Sequence, residues 1–289
     1  MCADDHPSVT IFRDRHNERQ TVAKALFFDI DGTLMDTFGK HDATIPQSTV
    51  NELHRLQGEG YKIFIASGRP LGFLSEAITG VGFDGYVLFN GGYVEIGGKP
   101  VSERRMGFKA ACLTAEVLDG LHAQYMIEAR DTIYIDRRFE RMWSHFSQFA
   151  GGDKVKFVQD FDRAKALREC IKLEADFPIQ NTGMLAQLWN NLGQLDKIDE
   201  NGTGNHAEFY SRRISKAVGL QRALDYFDIA REDSYAFGDG FNDLEMVEYA
   251  GCGVAMANGV DQLKKVADVI APPVAEDGMA RILRDLFPV

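Results

Sequence analysis

Two carboxylates, Asp29 and Asp31, stand directly behind the apolar run Ala25-Leu26-Phe27-Phe28 and ahead of Gly32-Thr33-Leu34. The run reads as a short buried strand over residues 25–30, ended by the glycine. If the extended conformation holds through both acids, their side chains share one face, about 7 Å apart along the strand. Carboxylates at the end of a hydrophobic strand are costly unless a cation or a proton holds them there. An all-oxygen ligand set suits Mg²⁺, which keeps several waters and takes one or two carboxylates together with substrate phosphate. A carboxylate can also attack phosphorus and become an aspartyl-phosphate. The plain alternative is a strand turning through Asp-Gly with both acids solvated, and the pair alone leaves that open.

Other positions carry chemistry of the same kind. Ser67 and Gly68 close the apolar run 61–66, where a hydroxyl and nearby backbone N–H groups can cradle phosphate oxygens. A Ser-Gly pair after a strand also serves as an ordinary turn. Asn90, followed by two glycines, ends the run 86–89 and is a further candidate for substrate contact. Lys216 opens a helix whose apolar face is Leu220, Ala223, Leu224 and Phe227. A lysine there opposes the helix dipole, which makes it a candidate to neutralise a phosphoryl group or a nucleophilic carboxylate; a solvated lysine is the alternative. Gly238-Asp239-Gly240-Phe241-Asn242-Asp243 places two acids and an amide in a Gly-rich turn before a helix. That turn can be a simple N-cap, and its acids add up to two more Mg²⁺ ligands.

The elements that carry these residues alternate. Strands are expected over 25–30, 61–66, 86–89, 234–237, 253–256 and 268–271, with a helix carrying Val50, Leu53 and Leu56 between residues 46–48 and Gly58, and others over about 71–78, 216–227 and 244–249. Such alternation implies right-handed crossovers and a Rossmann-like parallel sheet with helices on both faces. Ser67, Asn90, the acid pair and the 238–243 turn all sit just past the C-terminal ends of strands, where open α/β sheets bind ligands. Residues 90–207 have a different texture. A hairpin around Gly97-Gly98, strands over 185–189 and 206–210, and helices near 109–122 and 161–168 read as an α+β domain inserted into the α/β core. The expected organisation is a polar N-terminal extension over 1–21 with a short strand at 9–12, a discontinuous core over 22–89 and 208–289, and an inserted domain over 90–207.

Bulk composition narrows the function. The 289 residues carry a net charge of −11, so no basic surplus exists to neutralise nucleic-acid phosphates or an anionic membrane. A small phosphorylated metabolite remains open, since its charge can be met locally. Cys2, Cys112, Cys170 and Cys252 are scattered without metal-like spacing, which fits a reducing, cytoplasmic setting. No run approaches the length of a membrane span.

Jointly, these motifs resemble the haloacid dehalogenase superfamily of phosphohydrolases. Asp29-Ile30-Asp31-Gly32-Thr33-Leu34 resembles its first motif, Ser67-Gly68-Arg69 its second, Lys216 its third and residues 238–243 its fourth. The long insertion, together with 253–258, 267–270 and 276–279, resembles the Cof-like branch with an α/β cap. The resemblance implies Asp29 as nucleophile and Asp31 as the acid and base that serves the leaving oxygen and then water. It implies Mg²⁺ held by the Asp29 carboxylate, the Asp31 backbone carbonyl and Asp239, with Asp243 as ligand or support. Ser67, Gly68, Lys216, Asn90 and Asn242 would surround the phosphoryl group and its substrate. In the related transport ATPases a threonine stands where this chain has Asp31, which points to fast dephosphorylation and a phosphatase. The expected activity is Mg²⁺-dependent hydrolysis of small phosphorylated metabolites, a sugar phosphate first. A phosphomutase of the phosphomannomutase kind and a non-catalytic metabolite-binding protein are the alternatives. Specificity would lie in the cap, where Arg104, Arg105, Arg130, Asp131 and Arg137 are polar candidates.

Overall fold

In the computed structural model, which describes residues 9–11, 24–37, 44–146, 156–177, 197–200 and 206–288, the apolar runs form two sheets. The first half of the chain contributes β1 (Val9–Ile11), β2 (Ala25–Phe28), β3 (Lys62–Ala66), β4 (Gly85–Leu88), β5 (Tyr93–Ile96) and β6 (Lys99–Arg104) to the larger sheet. The middle supplies the smaller sheet: β7 (Gln124–Ala129), β8 (Thr132–Ile135), β9 (Lys156–Val158), β10 (Lys172–Asp176), β11 (Lys197–Glu200) and β12 (His206–Tyr210). The last part returns to the larger sheet with β13 (Ser234–Gly238), β14 (Cys252–Met256) and β15 (Val269–Ala271).

The larger unit draws on Ile11–Gly68, Leu74–Ser102 and Ser215–Val289. Its sheet runs β1-β6-β5-β4-β3-β2-β13-β14-β15. Strands β4, β3, β2, β13, β14 and β15 are parallel neighbours. Side chains alternate across β2, and register turns that alternation into packing. Phe27 pairs with Phe64 on β3 and their rings stack at 4.7 Å, while Phe28 pairs with Phe237 on β13 and stacks at 4.7 Å. On the Phe27 side, Ala66, Val87 and Val94 pack with Leu220, Ala223 and Leu224 of α6 (Lys216–Phe227), and with Met246 and Val247 of α7 (Leu244–Tyr249). Leu263 of α8 (Asp261–Val266) completes that layer. Helices α1 (Gln47–Gly58) and α9 (Gly278–Leu286) pair with each other, bury Leu53, Leu56, Ile282 and Leu283, and cover strands of the same sheet.

Three expectations are revised here. β2 stops at Phe28, so the strand does not extend through the acids. The helix expected over 71–78 divides into a single turn at Leu71–Phe73 and α2 (Glu76–Thr79), because Ser75 is extended (φ −65°, ψ 162°). The Gly97-Gly98 hairpin, read from sequence as part of the inserted segment, ladders onto β4 through β5. Its turn glycines have φ of +56° and +75°, and Val94, Ile96 and Val101 complete the apolar layer around Val87.

The smaller unit contains Arg69–Phe73 and Glu103–Ile214. Its sheet order is β11-β12-β10-β7-β8-β9, antiparallel except for the β8–β9 pair. Helices α3 (Phe108–Gly120), α4 (Glu140–Phe146) and α5 (Arg163–Glu169) bury Ala111, Ala115, Leu118, Met142, Ala166 and Leu167 in one core with Ile127, Leu173, Ala175 and Phe209. The strand expected over 185–189 lies outside the described residues. No helix among the described residues is long and apolar enough to cross a membrane.

Candidate active site

The chain bends immediately after β2. The Asp29 amide still donates to Phe237 O at 3.0 Å, but Ile30 O then accepts from the amides of Thr33, Leu34 and Met35 at 3.3, 3.0 and 2.9 Å. One carbonyl thus winds residues 30–35 into a tight loop, and Asp31 does not share a strand face with Asp29. Gly32 makes the winding possible. Its φ is +81°, and a Cβ there would lie 2.2 Å from Asp239 Oδ2. The Asp239 carboxylate therefore occupies the space that any other residue at 32 would need.

Three acids and one lysine meet where β2 and β13 end. Lys216 Nζ donates to Asp29 Oδ1 and to Asp243 Oδ1, each at 2.6 Å. Ser215 places the lysine at the first position of α6 by accepting from the Val218 amide at 3.3 Å. The other oxygen of Asp243 accepts from the amides of Asp239 and Gly240, both at 2.9 Å. Thr33 Oγ1 donates to Asp239 Oδ1 at 3.0 Å. Carboxylate oxygens of Asp29, Asp239 and Asp243 lie within 4.8 Å of one another, and all three residues are buried.

One ammonium cannot balance three carboxylates, and the titration of the groups reflects this. Burial pushes Asp29 well above the usual carboxylate range; Lys216 opposes the shift, while Asp243, Asp239 and Asp31 add to it. Burial, then Asp243, pushes Asp239 up to about 7. Burial works against the charge of Lys216, but Asp243 and Asp29 outweigh it and hold the ammonium above its ordinary range. The site gathers three carboxyl groups around one ammonium, an oxygen donor set of the kind a hard divalent cation such as Mg²⁺ takes.

Beside this cluster, the ends of β3 and β4 bring Ser67, Gly68 and Asn90 together with Asn242 from the turn after β13. The Asn90 amide donates to Ser67 O at 3.0 Å, and Asn90 Oδ1 accepts from Asn242 Nδ2 at 3.1 Å. A Cβ on Gly68 would stand 3.0 Å from Asn90 Oδ1. Phe89 and Asn90 both adopt left-handed backbone, with φ of 52° and 53°. For a buried phenylalanine this is strained, and such strain is retained where it aims a functional side chain. Gly91 follows so closely against Ser215 O that a Cβ there would sit at 2.0 Å, which joins the Asn90 turn to the start of the Lys216 helix.

All the site residues expected from sequence thus fall in the larger unit. Asp31 is half-buried and bridges to Met35; its charge is felt by Asp29 and Asp239. In the smaller unit, Arg105 pairs with Glu103 at 2.8 Å, Arg130 with Glu103 and Asp131, and Arg137 with Asp160. Two residues outside the expected set brace the site: Thr33, within the first motif, donates to Asp239, and the Asn258 amide donates to Gly32 O at 2.8 Å. A second charged cluster lies in the smaller unit. Lys172 on β10 lies 3.2, 3.1 and 2.5 Å from Glu128, Glu174 and Glu208, and His206 binds Asp176 at 2.8 Å.

A parallel sheet that delivers a carboxylate cluster past its strand ends, interrupted by an α+β unit, defines an α/β enzyme with a strand-end site. A model of the haloacid dehalogenase-like hydrolase family matches residues 26–283, and the chain belongs to that family as a phosphatase. It is 29% identical over 283 residues to 5-amino-6-(5-phospho-D-ribitylamino)uracil phosphatase YitU of Bacillus subtilis, covering 93% of this chain and 99% of that protein. It is 25% identical over 260 residues to the phosphoglycolate phosphatase of Methanopyrus kandleri, covering 90% and 95%. Among solved structures, the subclass IIB sugar phosphatase BT4131 superimposes with a TM-score of 0.77 at 26% identity, covering 91% of this chain and 98% of that one.

Proposed function

We propose that this chain is a Mg²⁺-dependent phosphatase of small phosphorylated metabolites, sugar phosphates first, acting through an aspartyl-phosphate on Asp29. The observation that carries the reading is the buried triad Asp29, Asp239 and Asp243, to which Lys216 brings a single positive charge. Asp29, Asp239 and the Asp31 carbonyl, with Asp243 beside them, would hold Mg²⁺, which when bound supplies positive charge against the phosphoryl oxygens.

The residues divide the work as follows. Lys216 fixes Asp29 through Oδ1, so Oδ2 is the oxygen that attacks phosphorus. As the new O–P bond forms, the bond to the leaving oxygen breaks and Asp31 gives that oxygen its proton. Water then attacks the phosphorus, Asp31 takes a proton back, and the Asp29–phosphorus bond breaks to release inorganic phosphate. Asn242, Asn90 and the Ser67-Gly68 turn orient the phosphoryl oxygens, and most of the acceleration comes from such fixed positioning and charge. The sugar-phosphate class is supported by a solved relative named as a sugar phosphatase and a curated one named for a phosphoribityl compound. Substrate choice is assigned to the smaller, inserted unit, by the family resemblance.

The test is a phosphate-release panel of sugar phosphates with Mg²⁺, then with chelator. Release that stops with chelator and returns with Mg²⁺ is expected, and Asp29→Asn should abolish it. Asp29→Asn retaining turnover of p-nitrophenyl phosphate would sink the mechanism. Isomerised sugar phosphate with little release, dependent on a bisphosphate activator, would mark a phosphomutase instead.

A further inference from the structure

One short turn after β14 touches both acid-bearing loops. Asn258 Nδ2 donates to Gly32 O at 2.8 Å across 226 positions of chain, and its Oδ1 accepts from the Val274 amide at 2.9 Å. Two residues on, the Val260 amide donates to Asp239 O at 2.9 Å. Gly259 between them lies against Asp239 so closely that a Cβ would stand 2.8 Å from its carbonyl oxygen and 2.9 Å from its Cα. The circuit closes on the other side, where Thr33 Oγ1 reaches Asp239 Oδ1 and the Asp239 carboxylate fills the space over Gly32.

We propose that Asn258 is a positioning residue for the phosphatase reaction: it latches the Asp29–Met35 loop to the turn that carries Asp239, and so sets the separation of the two acids. The loop is tied to β13 by the Asp29 amide on Phe237 O and is otherwise wound on Ile30 O and Met35 O, and none of these backbone bonds reaches β14. Gly32 O is the loop's outward acceptor, and Asn258 is the side chain that reaches it from the segment already bonded to Asp239. Asn258 is itself exposed, so its two bonds add little to folding free energy. An exposed amide that spends both ends on backbone groups of two loops is suited to alignment. Misplacement of a reacting group by about 1 Å costs on the order of 100-fold in rate.

The inference rests on the proposed phosphatase reading, and the parent enzyme's own Mg²⁺-dependent turnover tests that reading separately. The latch is read from two variants. Asn258→Ala removes both bonds; Asn258→Asp keeps the acceptor for Val274 and removes the donor to Gly32. Both should show kcat lowered on the order of 100-fold, with KM for the phosphate ester unchanged and the thermal midpoint kept. Hydrogen exchange across residues 29–35 should quicken in both, with or without Mg²⁺, a readout that needs no turnover. Turnover of Asn258→Ala at the parent level would overturn the proposal. So would full recovery in Asn258→Asp, which would assign the role to the Val274 bond, or a loss confined to KM. If Asn258→Ala fails to fold, Asn258→Asp decides alone.

Discussion

Lys216 Nζ and Asp29 Oδ1 lie 2.6 Å apart although 187 positions separate them in the chain, and the same nitrogen holds Asp243 at the same distance. The side chain of Lys216 is 0% exposed. Replacing it with methionine leaves two buried carboxylates without their shared donor, and breaking a buried pair in this way costs about 3–5 kcal/mol. Lys216→Met should therefore lower the urea midpoint sharply and abolish phosphate release. Added Mg²⁺ should recover part of the lost stability, because a cation replaces the missing charge. An unchanged midpoint in metal-free buffer would contradict the charge balance drawn for the site.

Gly32 separates backbone strain from site geometry. Gly32→Ala meets both a φ of +81° and a Cβ contact of 2.2 Å with Asp239 Oδ2, whereas Gly60→Ala meets a φ of +93° with open space around it. Gly60→Ala should cost about 1–2 kcal/mol of stability and leave turnover intact. Gly32→Ala should cost at least as much and also displace Asp239, with turnover falling and the Mg²⁺ concentration for half-activity rising. Paired urea titrations and Mg²⁺-dependence curves check this. Equal activity in the two variants would refute the role given to Asp239.

The chemistry of the site was legible because its signals are local. An apolar run stopped by a glycine announces a strand end, and carboxylates placed there are visible without knowing the partner strand. What was hidden depends on distant geometry. The bend that separates Asp31 from the strand comes from Ile30 O taking three amides. The grip of Asn258 on Gly32 joins residues that no periodicity relates. The hairpin's membership of the larger sheet follows from how Val94 and Ile96 fit around Val87, not from its turn glycines. Lys172, Glu174 and Asp176 alternate with apolar residues and so resemble a solvated strand face. Only the register with β7 and β12 shows that Glu128 stands opposite Lys172, and Glu208 opposite Glu174.

His206 makes the stability of the smaller unit depend on pH. Burial disfavours its charge, but the hydrogen bond to Asp176 and the charges of Glu174 and Glu208 outweigh it and raise its pKa above the usual 6.5. A raised histidine stabilises the fold while protonated. That contribution is complete below about pH 6.5 and fades as pH rises through the folded value. His206→Gln should therefore lose stability relative to the parent at pH 6 and converge on it at alkaline pH. Urea midpoints across this range measure it; a gap that widens with rising pH would reverse the sign and refute the assignment.

Glu128 and Lys172 face each other across β7 and β10 with side chains 0% and 1% exposed, and two further acids, Glu174 and Glu208, crowd the same ammonium. Burial pushes Glu128 well above the usual carboxylate range, with Lys172 opposing and Glu174 and Glu208 adding to the shift. A carboxyl with a raised pKa stabilises the fold only at low pH and becomes a burden as pH climbs past its unfolded value. Glu128→Gln, a neutral mimic of the protonated group, should therefore be at least as stable as the parent near pH 8. Lys172→Met should behave oppositely, since it strands three acids around an apolar side chain, and a loss of about 3–5 kcal/mol is expected. Adding Glu128→Gln to Lys172→Met should return part of that loss, because one of the stranded charges is gone. A double-mutant cycle in urea at pH 8 measures the coupling. Strict additivity would mean that the two groups do not share the charge the geometry gives them.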